Sequence, residues 1–101
     1  MSRRERRTAE NEVSWRQLNE LVPPDEFGLM FCECGLDDCS RQFRISSRAY
    51  ELIRSQPRWF AVVPGHERPD VEAIVERHDD YVIVEKIGEA GELADETDPR
   101  N

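Results

Sequence analysis

The chain predicts an α+β fold: an N-terminal helix, a cysteine-rich metal knuckle, and a short central helix packed on a small antiparallel sheet. Three observations carry this reading. An apolar stripe at helical spacing runs up to Pro23-Pro24. Beyond it come short runs rich in Val, Ile, Phe and Tyr, bounded by Gly, Pro, Asp and Ser, as strands and turns are. Between them, Cys32, Cys34 and Cys39 crowd into eight residues.

The first helix is expected from about Glu10 to Val22. Trp15, Leu18 and Val22 share one face, with Leu21 beside them, and Pro23-Pro24 ends the run because proline cannot continue a helix. Asp25 to Gly28 reads as a turn. Leu29 to Cys34 reads as a strand, in which alternation puts Met30, Cys32 and Cys34 on one face and Leu29 and Phe31 on the other. Gly35 to Asp38 is a tight polar turn leading to Cys39.

Gln42 to Ile45 is the next short strand, with Phe43 and Ile45 on one side. Ser46 or Ser47 suits an N-cap for a helix from Arg48 to Ser55, which Pro57 closes. Trp59 to Val63 is the densest apolar run and is expected as a buried central strand. Val71 to Arg77 and Tyr81 to Val84 are expected as a hairpin around a three-residue turn, His78-Asp79-Asp80.

Domain organisation follows. Residues 1–9 read as a flexible charged N-terminus, 10–88 as a single metal-binding domain and 89–101 as a disordered acidic tail poor in large apolar residues. The 101 residues suffice for one domain with a modest core.

Charge narrows the partners. The formal net charge of −8 argues against a general nucleic-acid binder, which needs clustered Lys and Arg. The exception is the first sixteen residues, where Arg3, Arg4, Arg6, Arg7 and Arg16 outnumber Glu5, Glu10 and Glu12. That segment could meet RNA or an acidic protein, although short charged ends are usually just solvated. Arg58, Trp59 and Phe60 resemble a base-stacking platform, but aromatics opening a buried strand are ordinarily core. No apolar run approaches the roughly 18 residues of a membrane span, and no signal sequence is recognisable, so the expectation is a cytoplasmic protein with no membrane contact.

In that compartment three cysteines point to a metal rather than to disulfides. The last spacing, Cys34 to Cys39, suits a knuckle in which a turn brings two thiolates to one ion. The Cys32-x-Cys34 spacing is short for zinc, but a strand aims both side chains the same way. His66, fixed behind Pro64-Gly65, is the better fourth ligand; His78 sits among Asp79 and Asp80 in an exposed turn. The expected metal set is therefore Cys32, Cys34, Cys39 and His66, holding one zinc, with an iron–sulfur cluster as the alternative.

Other chemistries fit less well. A Cys39–His66 nucleophile pair is conceivable, but crowded cysteines more often share a metal. A zinc deaminase would need H-x-E and P-C-x-x-C elements, and neither is present. No catalytic residues are expected: Glu33 and Glu67, adjacent in sequence to ligands, are placed by no motif.

The segments FCECGLDDC, SSRAYELIRSQPRWFAVVPGH and VERHDDYVIVEKIGEAGELA together resemble an uncharacterised family of small actinobacterial proteins. Its features are a C-E-C-G-x-x-x-C knuckle, a Y-E-x-x-R helix, a P-G-H turn and a V-V-E-K-like strand; here Ile83 departs from the last. The resemblance covers residues 10 to 100. It implies pairing of the three cysteines with His66 and implies no activity. The resulting expectation is a small zinc-binding protein with a structural metal, acting through contacts with another protein. A redox- or metal-responsive regulator using the same thiolates is the alternative.

Overall fold

The computed structural model describes residues 3–21, 28–36 and 38–100. The elements in order are α1 (Arg3–Leu21), β1 (Leu29–Phe31), β2 (Gln42–Arg44), α2 (Ser47–Arg54), β3 (Trp59–Val62), β4 (Glu72–Arg77), β5 (Val82–Lys86) and α3 (Gly88–Glu96). The α+β class is as expected. The expected turn at Asp25 to Gly28 lies almost wholly outside the described residues.

Helix α1 is longer than its apolar stripe. It starts at Arg3, so most of the stretch expected to be a flexible end is helical. Its Arg, Glu and Ala residues are good helix formers. The buried face also differs from expectation. Ala9, Glu12, Arg16 and Asn19 are buried, at spacings of three and four, whereas Leu21 is 80% exposed. Trp15 and Leu18 are half-buried, with Trp15 stacked on Phe31 at 4.8 Å, and Val22 lies outside the described residues. The helix turns polar residues inward because it meets partners that need them, as described below.

Strands β1 and β2 pair antiparallel, with Met30 opposite Phe43. The ladder is shorter than the expected strand, but the Cys32 N–H still reaches the Arg41 carbonyl at 2.8 Å. Ser46 is the N-cap of α2, its hydroxyl accepting the Ala49 N–H at 3.1 Å. Tyr50, Ile53 and Arg54 are the buried face of that helix.

The second sheet has the order β3-β5-β4, all antiparallel. The central strand is thus β5, and β3, expected in the middle, is an edge. Its burial comes from the knuckle, which covers that edge: Glu33 N–H donates to the Ala61 carbonyl at 3.0 Å, and the Ala61 and Val63 N–H groups find Glu33 Oε1 and Cys32 Sγ. Such cover is how a sheet edge is kept from pairing elsewhere. The β4–β5 hairpin closes through His78 N–H to the Tyr81 carbonyl at 2.8 Å, one residue wider than expected.

The segment expected as a disordered tail forms α3 over Gly88–Glu96, with Gly91 and Ala94 buried. Its hold is polar. The Arg16 guanidinium donates to the Ala94 carbonyl at 2.9 Å and to Thr97 Oγ1 at 3.1 Å, and Arg58 pairs with Asp95 at 2.8 Å. Cations suit the carbonyl end of a helix. No helix among the described residues is long and apolar enough to cross a membrane.

Candidate metal centre

The cluster is assembled by three local devices. Strand-like alternation continues past β1, so Met30, Cys32 and Cys34 all turn inward and are each 1% exposed. Gly35 then reverses the chain at φ 76°, a conformation that side chains disfavour. A Cβ there would also lie 2.4 Å from the Thr8 carbonyl oxygen of α1. The turn is closed by Cys39 N–H to the Leu36 carbonyl at 3.1 Å. On the other side, Gly65 at φ 93° and the His66 N–H bonded to the Val63 carbonyl at 2.9 Å swing His66 back from the end of β3.

The result is one compact donor set. The ligand atoms of Cys32, Cys34, Cys39 and His66 all lie within 4.8 Å of one another. His66 Nδ1 is 3.7 Å from Cys32 Sγ and 3.6 Å from Cys39 Sγ. Val63 N–H donates to Cys32 Sγ at 3.1 Å. All three cysteines are free thiols. Three soft sulfurs and one imidazole nitrogen at this spacing could hold a metal ion.

Protein-family models, curated proteins and solved structures contain no match to the chain.

His78 is not part of the cluster. It stacks on Tyr81 at 4.5 Å, with Nε2 2.7 Å from Glu76. Nor does the geometry single out a Cys39–His66 pair, because Cys32 approaches the same nitrogen as closely.

The thiols perturb one another. Cys34 is pulled down to about 5, chiefly because the Cys32 thiol donates a hydrogen bond to it, with the Leu36 N–H, His66 and Cys39 adding to the effect against burial. Cys32 is pushed up, first by that same bond and then by burial. Burial leads in raising Cys39. The hydrogen bonds thus favour the thiolate at Cys34 and the thiol at Cys32, and the thiolate is the species that ligates metals.

One residue essential to this arrangement was not evident in the sequence. Glu33 lies between two inward-facing cysteines, so alternation sends it to the opposite side, where it is fully buried. Its carboxylate accepts Asn19 Nδ2 at 3.0 Å, Arg54 at 3.0 and 3.3 Å, and the Ala61 N–H at 3.0 Å. It is a clamp tying the knuckle to α1, α2 and β3, and its oxygens are committed away from the thiols. Glu67 is committed too, capping the Gly65 N–H at 2.8 Å and pairing with Arg77.

A second buried polar centre also escaped the sequence reading. Lys86, the only lysine in the chain, bonds Glu12 and Glu72, the latter at 2.5 Å, and all three residues are nearly inaccessible. Arg68 closes one side, its N–H donating to Glu72 Oε1 at 2.5 Å. Burial pushes Glu12 up to about 7 despite Lys86. Both centres flank Phe60, whose ring has Arg16, Lys86 and Arg54 at 4.6, 5.2 and 5.9 Å. Phe60 is 1% exposed and Trp59 half-buried with Nε1 on Glu85, which suits core rather than a stacking platform. The signal that might have found this centre is a lone lysine closing an apolar strand.

Proposed function

We propose that this chain is a small zinc-binding protein in which one structural ion, held by Cys32, Cys34, Cys39 and His66, fixes the knuckle to the end of β3. The observation that carries the reading is the spacing of the donors. Zinc bound tetrahedrally at about 2.3 Å to sulfur and about 2.05 Å to nitrogen separates S from N by about 3.6 Å. Two of the three S···N distances here, from Cys32 and Cys39, are 3.7 and 3.6 Å, and the whole donor set lies within 4.8 Å. Thiol–imidazole hydrogen bonds would suit the same spacing, so the metal content decides. A partner protein is a further expectation; Glu33 and Glu67, beside the ligands in sequence, are both committed to hydrogen bonds and ion pairs.

The test is elemental analysis of protein purified without added metal. About one zinc per chain supports the reading. Iron with acid-labile sulfide and visible absorbance would replace zinc by a cluster. Three freely titrating thiols in folded, metal-free protein would remove the reading altogether.

A further inference from the structure

The four donors are not equally placed. Cys32 and Cys34 are sealed in, Cys32 by the Val63 N–H and both by the strand that Glu33 anchors on its other side. Cys39 and His66 lie on short loops, and His66 is half-buried. Both line an open cleft of about 310 Å³, whose other walls among the described residues are Leu36, Asp38 and Arg41. The donor set thus has an inner pair locked by hydrogen bonds and an outer pair bordering the cleft, with Cys39 6% exposed and His66 half-buried. The outer pair is held mainly by turn backbone, Cys39 N–H to Leu36 and His66 N–H to Val63.

Resting on the zinc reading above, we infer that this cleft is a second binding site, for a small anionic metal ligand, and that the ion is exchanged through it with Cys39 and His66 leaving before Cys32 and Cys34. The class of ligand follows from the walls. The cleft admits a molecule of several heavy atoms, and such a molecule needs an electron-pair donor to reach the ion. Arg41 offers a guanidinium suited to a carboxylate or thiolate. Asp38 opposes it. The step is a substitution with no change of oxidation state. An incoming anion would donate a lone pair to the ion as the bond from Cys39 or His66 breaks; a released Cys39 thiolate would take a proton from water, and Cys32 and Cys34 would let go last. Those two cannot be reached first, because β3 and the Glu33 clamp stand behind them.

The experiment uses zinc-loaded, full-length protein and two chelators, anionic nitrilotriacetate and neutral 1,10-phenanthroline. Zinc transfer to nitrilotriacetate should be first order in chelator. Arg41→Gln should slow that transfer about five-fold and Asp38→Asn should speed it by a similar factor, as one charge near the route affects an encounter of ions. Transfer to phenanthroline should be unchanged in both variants. Arg48→Gln, a charge loss on α2 outside the cleft, should leave both rates alone. Iodoacetamide added during release should label Cys39 before Cys32 or Cys34, read by tandem mass spectrometry.

A rate independent of chelator concentration, equal slowing by Arg41→Gln and Arg48→Gln, or first labelling at Cys32 or Cys34 would each overturn the inference while leaving zinc binding intact. Protein that binds no zinc would overturn the reading beneath it, a different and prior result.

Discussion

At one end of the molecule Cys32, Cys34, Cys39 and His66 meet with no cation of their own, while at the α1–β4–β5 seam Glu12 and Glu72 meet around Lys86. The seam is withdrawn from water, the knuckle buries its three thiols while His66 borders a cleft, and both tie distant segments together. They differ in who supplies the positive charge. The seam carries its cation in the sequence, so it is complete on folding. The knuckle gathers donors of the kind a metal requires and offers them one another's protons and a few backbone N–H groups, such as that of Val63 on Cys32. A buried polar cluster with a built-in counter-ion reads as scaffold, and one made only of donors reads as a receptor for an ion. The difference implies separable consequences when each centre is damaged.

The largest effect is expected at the knuckle. Cys34→Ser should take zinc from about one per chain to none, because a structural site uses all four ligands and its binding free energy is about 10–16 kcal/mol. His66→Ala should do the same and His78→Ala should not, read by mass spectrometry of the metal. A Cys34→Ser protein that keeps its zinc would break the comparison outright.

At the seam the expectation is reversed: stability lost, metal kept. Lys86→Met leaves two buried carboxylates with Arg68 in place of their lysine, the Arg68 N–H on Glu72 and its guanidinium 3.9 Å from Glu12, and removing one partner of a buried pair costs about 3–5 kcal/mol. Urea unfolding should show that loss while zinc stoichiometry stays at that of the parent. Loss of zinc in this variant would mean that the two centres are not separable.

The seam should also respond to pH, with a definite sign. Glu12 keeps its proton to about 7 in the folded chain, against an ordinary value of 4.5. The folded state therefore binds more protons between those values, so stability falls as pH rises through the window. The contribution is complete below the lower value and gone above the higher, on the order of 3 kcal/mol in all. Glu12→Gln should flatten that slope. The difference between variant and parent isolates it from the metal's own pH dependence, and parallel slopes would refute it.

A smaller loss, about 2 kcal/mol, is expected on deleting residues 92–101, since Arg16 then loses its acceptors on Ala94 and Thr97 and keeps the Pro57 carbonyl. An unchanged thermal midpoint would show that α3 contributes nothing, as its composition alone suggests.

The knuckle was legible in the sequence because its logic is local. Three cysteines in eight residues, strand alternation and two glycine turns specify where the side chains point without knowledge of the rest of the chain. His66 could be chosen over His78 from the Pro64-Gly65 turn alone. The seam was not legible, because Glu12, Glu72 and Lys86 belong to three elements far apart in the chain, and no period links them. The same reason hid α3 and the true face of α1. Arg16 and Glu12 read as surface residues on a helical wheel, and only the presence of Ala94, Thr97 and Lys86 opposite them turns that face inward. The placing of β3 at the centre failed for a related reason. An apolar run announces burial, and it does not say whether a strand or a knuckle does the burying.

The Glu33 clamp has a consequence for anyone wishing to move this site elsewhere. A peptide of residues 28–45 would carry all three cysteines and the β1–β2 hairpin, and it would look like a portable binding motif. It would leave behind His66, and with it Asn19, Arg54 and the Ala61 backbone that hold Glu33. Excised, that glutamate would turn to water and cease to fix the strand on which Cys32 and Cys34 stand. A successful graft would have to bring the facing surfaces of α1, α2 and β3, which is to say most of the protein.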